Sequence, residues 1–104
     1  NKSGNIVTAN INSFAAAAKN AKWQAKNDFY LVLSNESGKQ SWPIVATTFV
    51  LLPKEKSAAR QHSLQFFKWI FKNGAKMATD LDYVSIPGSV TKQILQYTAM
   101  QQAK

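Results

Sequence analysis

The side chains able to do chemistry are few: one histidine, five carboxylates, four glycines spread along the chain and no cysteine. His62 lies on the flank of a helical stretch, beside its polar strip, with no second ligand in view, so it reads as a solvated surface group and not a metal ligand. Asp80 and Asp82 are the one close acid pair, at i, i+2. That spacing does not put both on one helix face, and capping or turn roles next to Ser85-Ile86-Pro87 suit them better than acid–base catalysis. Serine, histidine and aspartate are all present, but in no nucleophile setting, and no glycine-rich loop could cradle a phosphate. The missing cysteines exclude disulfides, thiolate zinc sites and cysteine nucleophiles while leaving the compartment open. The expectation is therefore no catalytic residue, no metal, no cofactor and no enzyme. Phe66, Phe67, Trp69 and Phe71 could form a stacking platform for single-stranded nucleic acid, yet their spacing is helical and suits core packing better. The sequon Asn35-Glu36-Ser37 is common by chance and carries no weight.

Charge is the other feature with consequences for partners. Thirteen Lys+Arg stand against five Asp+Glu, a net charge of +8, and all the cations but Arg60 are lysines, scattered from Lys2 to Lys104. Surfaces that read bases or clamp phosphates lean on clustered arginine, so a solubilising lysine surface is the plainer reading. A chain of 104 residues with 45% hydrophobic content is one globular domain or part of one. Its longest apolar run is too short to span a bilayer. It starts at Asn1 without a signal-peptide pattern, which suggests a processed product or a piece of something longer.

The elements that must position these residues are organised around residues 44–52, bracketed by Pro43 and Pro53. Proline lacks an amide donor and limits a strand to the residues between the two. Five of those nine are β-branched and the apolar character is nearly unbroken, as in a strand covered on both faces. Residues 28–34 read as a second, shorter strand, and 35–41 as a polar loop containing Gly38. Phe14, Ala17, Ala18 and Ala21 keep helical spacing, which places a helix over 12–21 capped by Asn12 or Ser13. The clearest helix covers 57–73. Gln61, Gln65, Lys68 and Lys72 form its polar strip, and Leu64, Phe66, Phe67, Ile70 and Phe71 a broad apolar arc with Trp69 at the border. Asn73-Gly74 ends it, with glycine expected in the left-handed C′ position. A short helix over 75–81, an extended stretch over 82–87 and a last helix over 89–101 complete an α/β or α+β order. Only one other strand is on offer to the central one. The sheet is incomplete, as if the chain belonged to a larger fold or borrowed a strand from a partner.

Particular residues carry a family likeness. Trp42-Pro43-Ile44, Thr48-Phe49-Val50-Leu51, Phe66-Phe67-x-Trp69, Asn73-Gly74-x-x-x-Ala78, Asp80-Leu81-Asp82-Tyr83-x-x-Ile86-Pro87 and Val90 resemble, in order and spacing, the C-terminal segment of the periplasmic phosphate-binding proteins that serve ABC transporters. The match runs over 42–94 and is looser over 10–35, where it rests on the Phe14-Ala-Ala-Ala-Ala helix and Trp23. Gly88 stands where the family often has an acidic cap, leaving Ser89 to cap, and Tyr97 and Thr98 replace bulkier or basic residues.

The resemblance implies part of a type II periplasmic-binding-protein (Venus-flytrap) fold: an α/β, two-lobed receptor in which helices pack on an incomplete sheet. Residues 1–40 would end one lobe, and 41–104 would supply the hinge crossing, central strand and C-terminal helices of the other. Trp42 and Pro43 are the hinge candidates, Trp42 reading equally well as a plain core aromatic. In the family the phosphate is gripped by serine and threonine hydroxyls, an aspartate, an arginine and helix N-terminal amides drawn from the earlier part of the protein. No ligand-binding residue carries over, and neither Lys54 nor Arg60 matches one. The implied partners are inorganic phosphate, held through that other part, and a membrane permease. The implied location is periplasmic, or extracellular and attached to the cell surface. A strand-exchanged dimer of the segment is open, and the alternative function is a small basic module binding nucleic acid or an acidic protein.

Overall fold

Asn10 opens the first helix. Its Oδ1 accepts the Ser13 N–H at 3.0 Å while Ser13 Oγ accepts the Asn10 N–H at 3.0 Å, a reciprocal cap that fixes the start of α1 (Ile11–Asn20). The cap thus lies ahead of the expected Asn12 or Ser13, because Ser13 is the far half of the box. The helix buries Ser13, Ala17 and Ala18, and the Trp23 indole N–H closes its end on Ala18 O at 2.7 Å. A single 3₁₀ turn (Ala25–Asn27) follows. Ser57 caps α2 (Ala58–Asn73) by accepting the Arg60 N–H. Then come α3 (Ala75–Asp80) and α4 (Gly88–Ala103). This computed structural model describes residues 1–103; Lys104, the last of the scattered lysines, lies outside the described residues.

All four expected helices form, with two corrections at their ends. Gly74 is right-handed (φ −88°), not left-handed, because α3 begins at the next residue and the chain hardly leaves the helix. Glycine is needed there for room: a Cβ would stand 2.8 Å from Ile70 O. α4 starts one residue early, at Gly88, with Pro87 O accepting the amides of Val90 and Thr91, so Ser89 lies inside the first turn and not at the cap.

The sheet is where sequence and structure part. Among the described residues no strand is formed. Residues 30–33 and 44–48 are nevertheless extended in one telling respect, for exposure alternates residue by residue. Leu31, Leu33, Val45 and Thr47 turn inward, while Tyr30, Val32, Ile44 and Thr48 face out. Of the inward set, Leu31, Leu33 and Val45 pack at the end of α1, where Ala18, Ala21 and Leu33 form a small core with Trp23, Leu31 and Val45 around it. So the central segment is covered on one face, not two. A strand is made by partners, and the two segments meet through side chains and through the Asn35 N–H, which donates to Pro43 O at 2.8 Å, without forming a ladder.

The second half packs α3 and α4 on α2, and α4 also reaches the 3₁₀ turn. Of the expected apolar arc of α2, Leu64 is buried and Phe67, Ile70 and Phe71 are half-buried, but Phe66 stays exposed. The shape is flat, 47 × 30 × 18 Å, with a radius of gyration of 15.0 Å. A compact domain of this length would have about 13 Å.

Candidate functional site

Two places bring distant residues together. The first is the crossing from the loop into the central segment. Ser41 is fully buried, its Oγ donating to Ser37 O at 2.7 Å and accepting from Asn20 Nδ2 at 3.0 Å. Asn1 Nδ2 donates to Gly38 O and Ser41 O. Gly38, at φ +108°, allows this approach, since a Cβ there would stand 2.8 Å from Ser41 Oγ and nearer still to the Asn20 amide. Beyond it Trp42 is tied to α1 twice, by its N–H to Ser13 O at 3.0 Å and by an edge-on ring contact with Phe14 at 6.3 Å. Trp42 and Pro43 are half-buried. The two hinge candidates therefore sit on a crossing whose near side is fastened to the first helix. Sequence reasoning missed Ser41, Asn20 and Gly38 as its fastenings. Gly38 alone gave a signal, as the glycine of the loop.

The second place is an open, mainly apolar cavity of about 1280 Å³, walled by Leu33, Ile44 and Val45 on one side and by Ile70, Ala78 and Leu95 on the other. Its rim carries the exposed Asp82 and Lys92. Such a lining offers apolar surface for more chain to pack against, with the hydroxyls of Thr47, Thr48, Ser85 and Thr91 set among it.

The remaining candidate groups are dispersed. His62 is exposed on α2. Asp80 pairs with Lys76 at 2.9 Å on the surface of α3, and Asp82 takes a left-handed turn conformation (φ 62°), so the acid pair is split between an ion pair and a turn. Arg60 Nη1 donates to Lys54 O at 3.0 Å, which turns the arginine back on its own loop. Among the described residues no three His, Asp or Glu side chains gather as a metal site would require. The N-termini of α1 and α2 are met by their own caps, Asn10 and Ser57. A polar contact links α4 to the end of the 3₁₀ turn. Tyr97 on α4 donates its hydroxyl to Asp28 Oδ1, and its ring stands edge-on to Phe29 at 5.4 Å. The bond to Asp28, then desolvation and the aspartate's charge, push the Tyr97 hydroxyl above its ordinary pKa, with Arg60 opposing.

Neither a family model nor a solved structure matches the chain. Curated proteins do. The phosphate-binding protein PstS of Xylella fastidiosa (strain Temecula1) is 47% identical over 103 residues, covering 97% of this chain and 28% of the relative. The phosphate-binding protein PstS of Haemophilus influenzae is 43% identical over 96 residues, covering 90% of the chain and 29% of the relative. The same protein of Pasteurella multocida is also 43% identical over 96 residues. The chain belongs to the PstS family. It matches a C-terminal part of those proteins and spans under a third of the length of the curated relatives it matches. Membership carries a periplasmic-binding-protein fold. The PstS relatives are named as phosphate-binding proteins.

Proposed function

We propose that this chain is the scaffold segment of a receptor that captures inorganic phosphate for uptake by an ABC transporter, and that it carries the framework of the lobes and not the grip on the anion. The observation behind this is identity of 43–47% over 90–97% of the chain to proteins named for phosphate binding. In keeping with it, the N-termini of α1 and α2 are taken up by their own caps, and the lining of the large cavity is mainly apolar. On this reading residues 1–40 end one lobe, 41–104 build the other, and Trp42 and Pro43 form the crossing. Proline limits backbone freedom beside the pivot. Strands from the rest of the receptor fill the open cavity and complete the sheet, and the same uncovered edges let the isolated segment pair with a second copy. The receptor works in the periplasm, or outside the cell on its surface, and delivers phosphate to a membrane permease.

Calorimetric titration of phosphate decides it. The full-length receptor should bind one phosphate saturably, and the 104-residue segment alone should give no heat above dilution. Saturable binding by the segment, or none by the full-length protein, would overturn the reading.

A further inference from the structure

We propose that Asp28 and Tyr97 form a latch between the two lobes that favours the closed receptor. The inference rests on the proposed two-lobe reading, in which Asp28 falls in one lobe and Tyr97 in the other. The two are 69 residues apart in sequence, yet the Tyr97 hydroxyl donates to Asp28 Oδ1 and its ring meets Phe29 edge-on, 5.4 Å between centroids and 84° between planes. Phe29 is 7% exposed although it lies in a turn, so α4 covers it and closes a joint that is apolar on one side and charge-assisted on the other.

The backbone shows that the joint is held. Asp28 and Phe29 take φ of 54° and 60° in succession, a left-handed pair that non-glycine residues seldom adopt. Such conformations persist where surrounding contacts over-determine them. Here the Phe29 N–H donates to Gln24 O and the Tyr30 N–H to Asn27 O, which aims Asp28 and Phe29 at α4. A contact between lobes exists only while the lobes meet. Unlike the Trp42 and Val45 contacts beside the crossing, this one is on the proposal present in the closed state and lost in the open one, the differential interaction that shifts a two-state equilibrium.

The test uses the full-length receptor with D28A, Y97F and the double variant. Each single change should raise the phosphate Kd about tenfold through faster release, and the double variant no further, since both remove one contact. An unchanged Kd with a lowered Tm would mean a contact inside one lobe and would overturn the latch. A second measurement needs no ligand. A D28C/Y97C pair bridged by a short bismaleimide should shrink the radius of gyration of the free receptor in small-angle scattering. An unaltered radius in the bridged protein sinks the latch even where phosphate binding is intact. A receptor that binds no phosphate but contracts on bridging sinks the transport reading and spares the latch.

Discussion

Single residues decide more here than their number suggests. Gly38 is the clearest case. At φ +108°, with Asn20 and Ser41 crowding the space a Cβ would fill, alanine meets both backbone strain and a clash. Gly38→Ala should cost about 1–3 kcal/mol, read as a lowered urea midpoint with unchanged slope. Tyr97 makes a second prediction, in pH. Its folded-state pKa is raised from the ordinary 10.0, chiefly by the hydrogen bond to Asp28. A group with a raised folded pKa contributes stability that is fully present below the unfolded value and lost as pH rises through the folded one. Between pH 8 and pH 9 the thermal midpoint should therefore be flat. Above about pH 10 it should fall more steeply in the wild type than in Tyr97→Phe, and parallel profiles would refute the pairing. Neither residue announced itself in the sequence. Gly38 read only as a loop glycine, and the Asp28–Tyr97 contact spans a separation that no local pattern encodes.

Elements were legible in proportion to how local their causes are. The longer helices followed from apolar spacing, and α2 runs Ala58–Asn73 against the expected 57–73, ending before Gly74 as expected though without the left-handed turn. Errors at helix ends came from rival local solutions. Asn10, Asn12 and Ser13 all can cap, and the pair that satisfies two amides at once prevailed. Asn10→Ala should then lower helix content and cost about 1 kcal/mol, while Asn12→Ala should cost almost nothing. Circular dichroism and urea melts of the two variants separate these outcomes, and equal losses would count against the assigned cap. The extended segments were legible as extended but not as paired. Their β-branched, apolar run sets a backbone preference, whereas pairing depends on strands from elsewhere. Half of that expectation appears as the alternation of Leu31 and Leu33 with Tyr30 and Val32.

The whole molecule sets two opposing forces against each other. Ile44, Leu51, Val32 and Tyr30 are among the large apolar side chains left in solvent, on segments with no strand ladder, and the body is too flat to cover them. Uncovered strand faces and edges favour association. Against this stands a net charge of +8, which makes two copies repel. Repulsion between exposed charges is screened over about 8 Å at 0.15 M salt and about 3 Å at 1 M, while apolar burial is not weakened by salt in this way. The isolated segment should therefore gain mass as salt rises, from monomer at low ionic strength toward dimer. Multi-angle light scattering across a sodium chloride series reads the change directly. Nucleic-acid binding has the opposite sign, since added salt dissolves it. A segment that stays monomeric across the series would show that its exposed apolar faces do not seek a partner. The proposal that those faces wait for strands of the full receptor would then lose its physical ground.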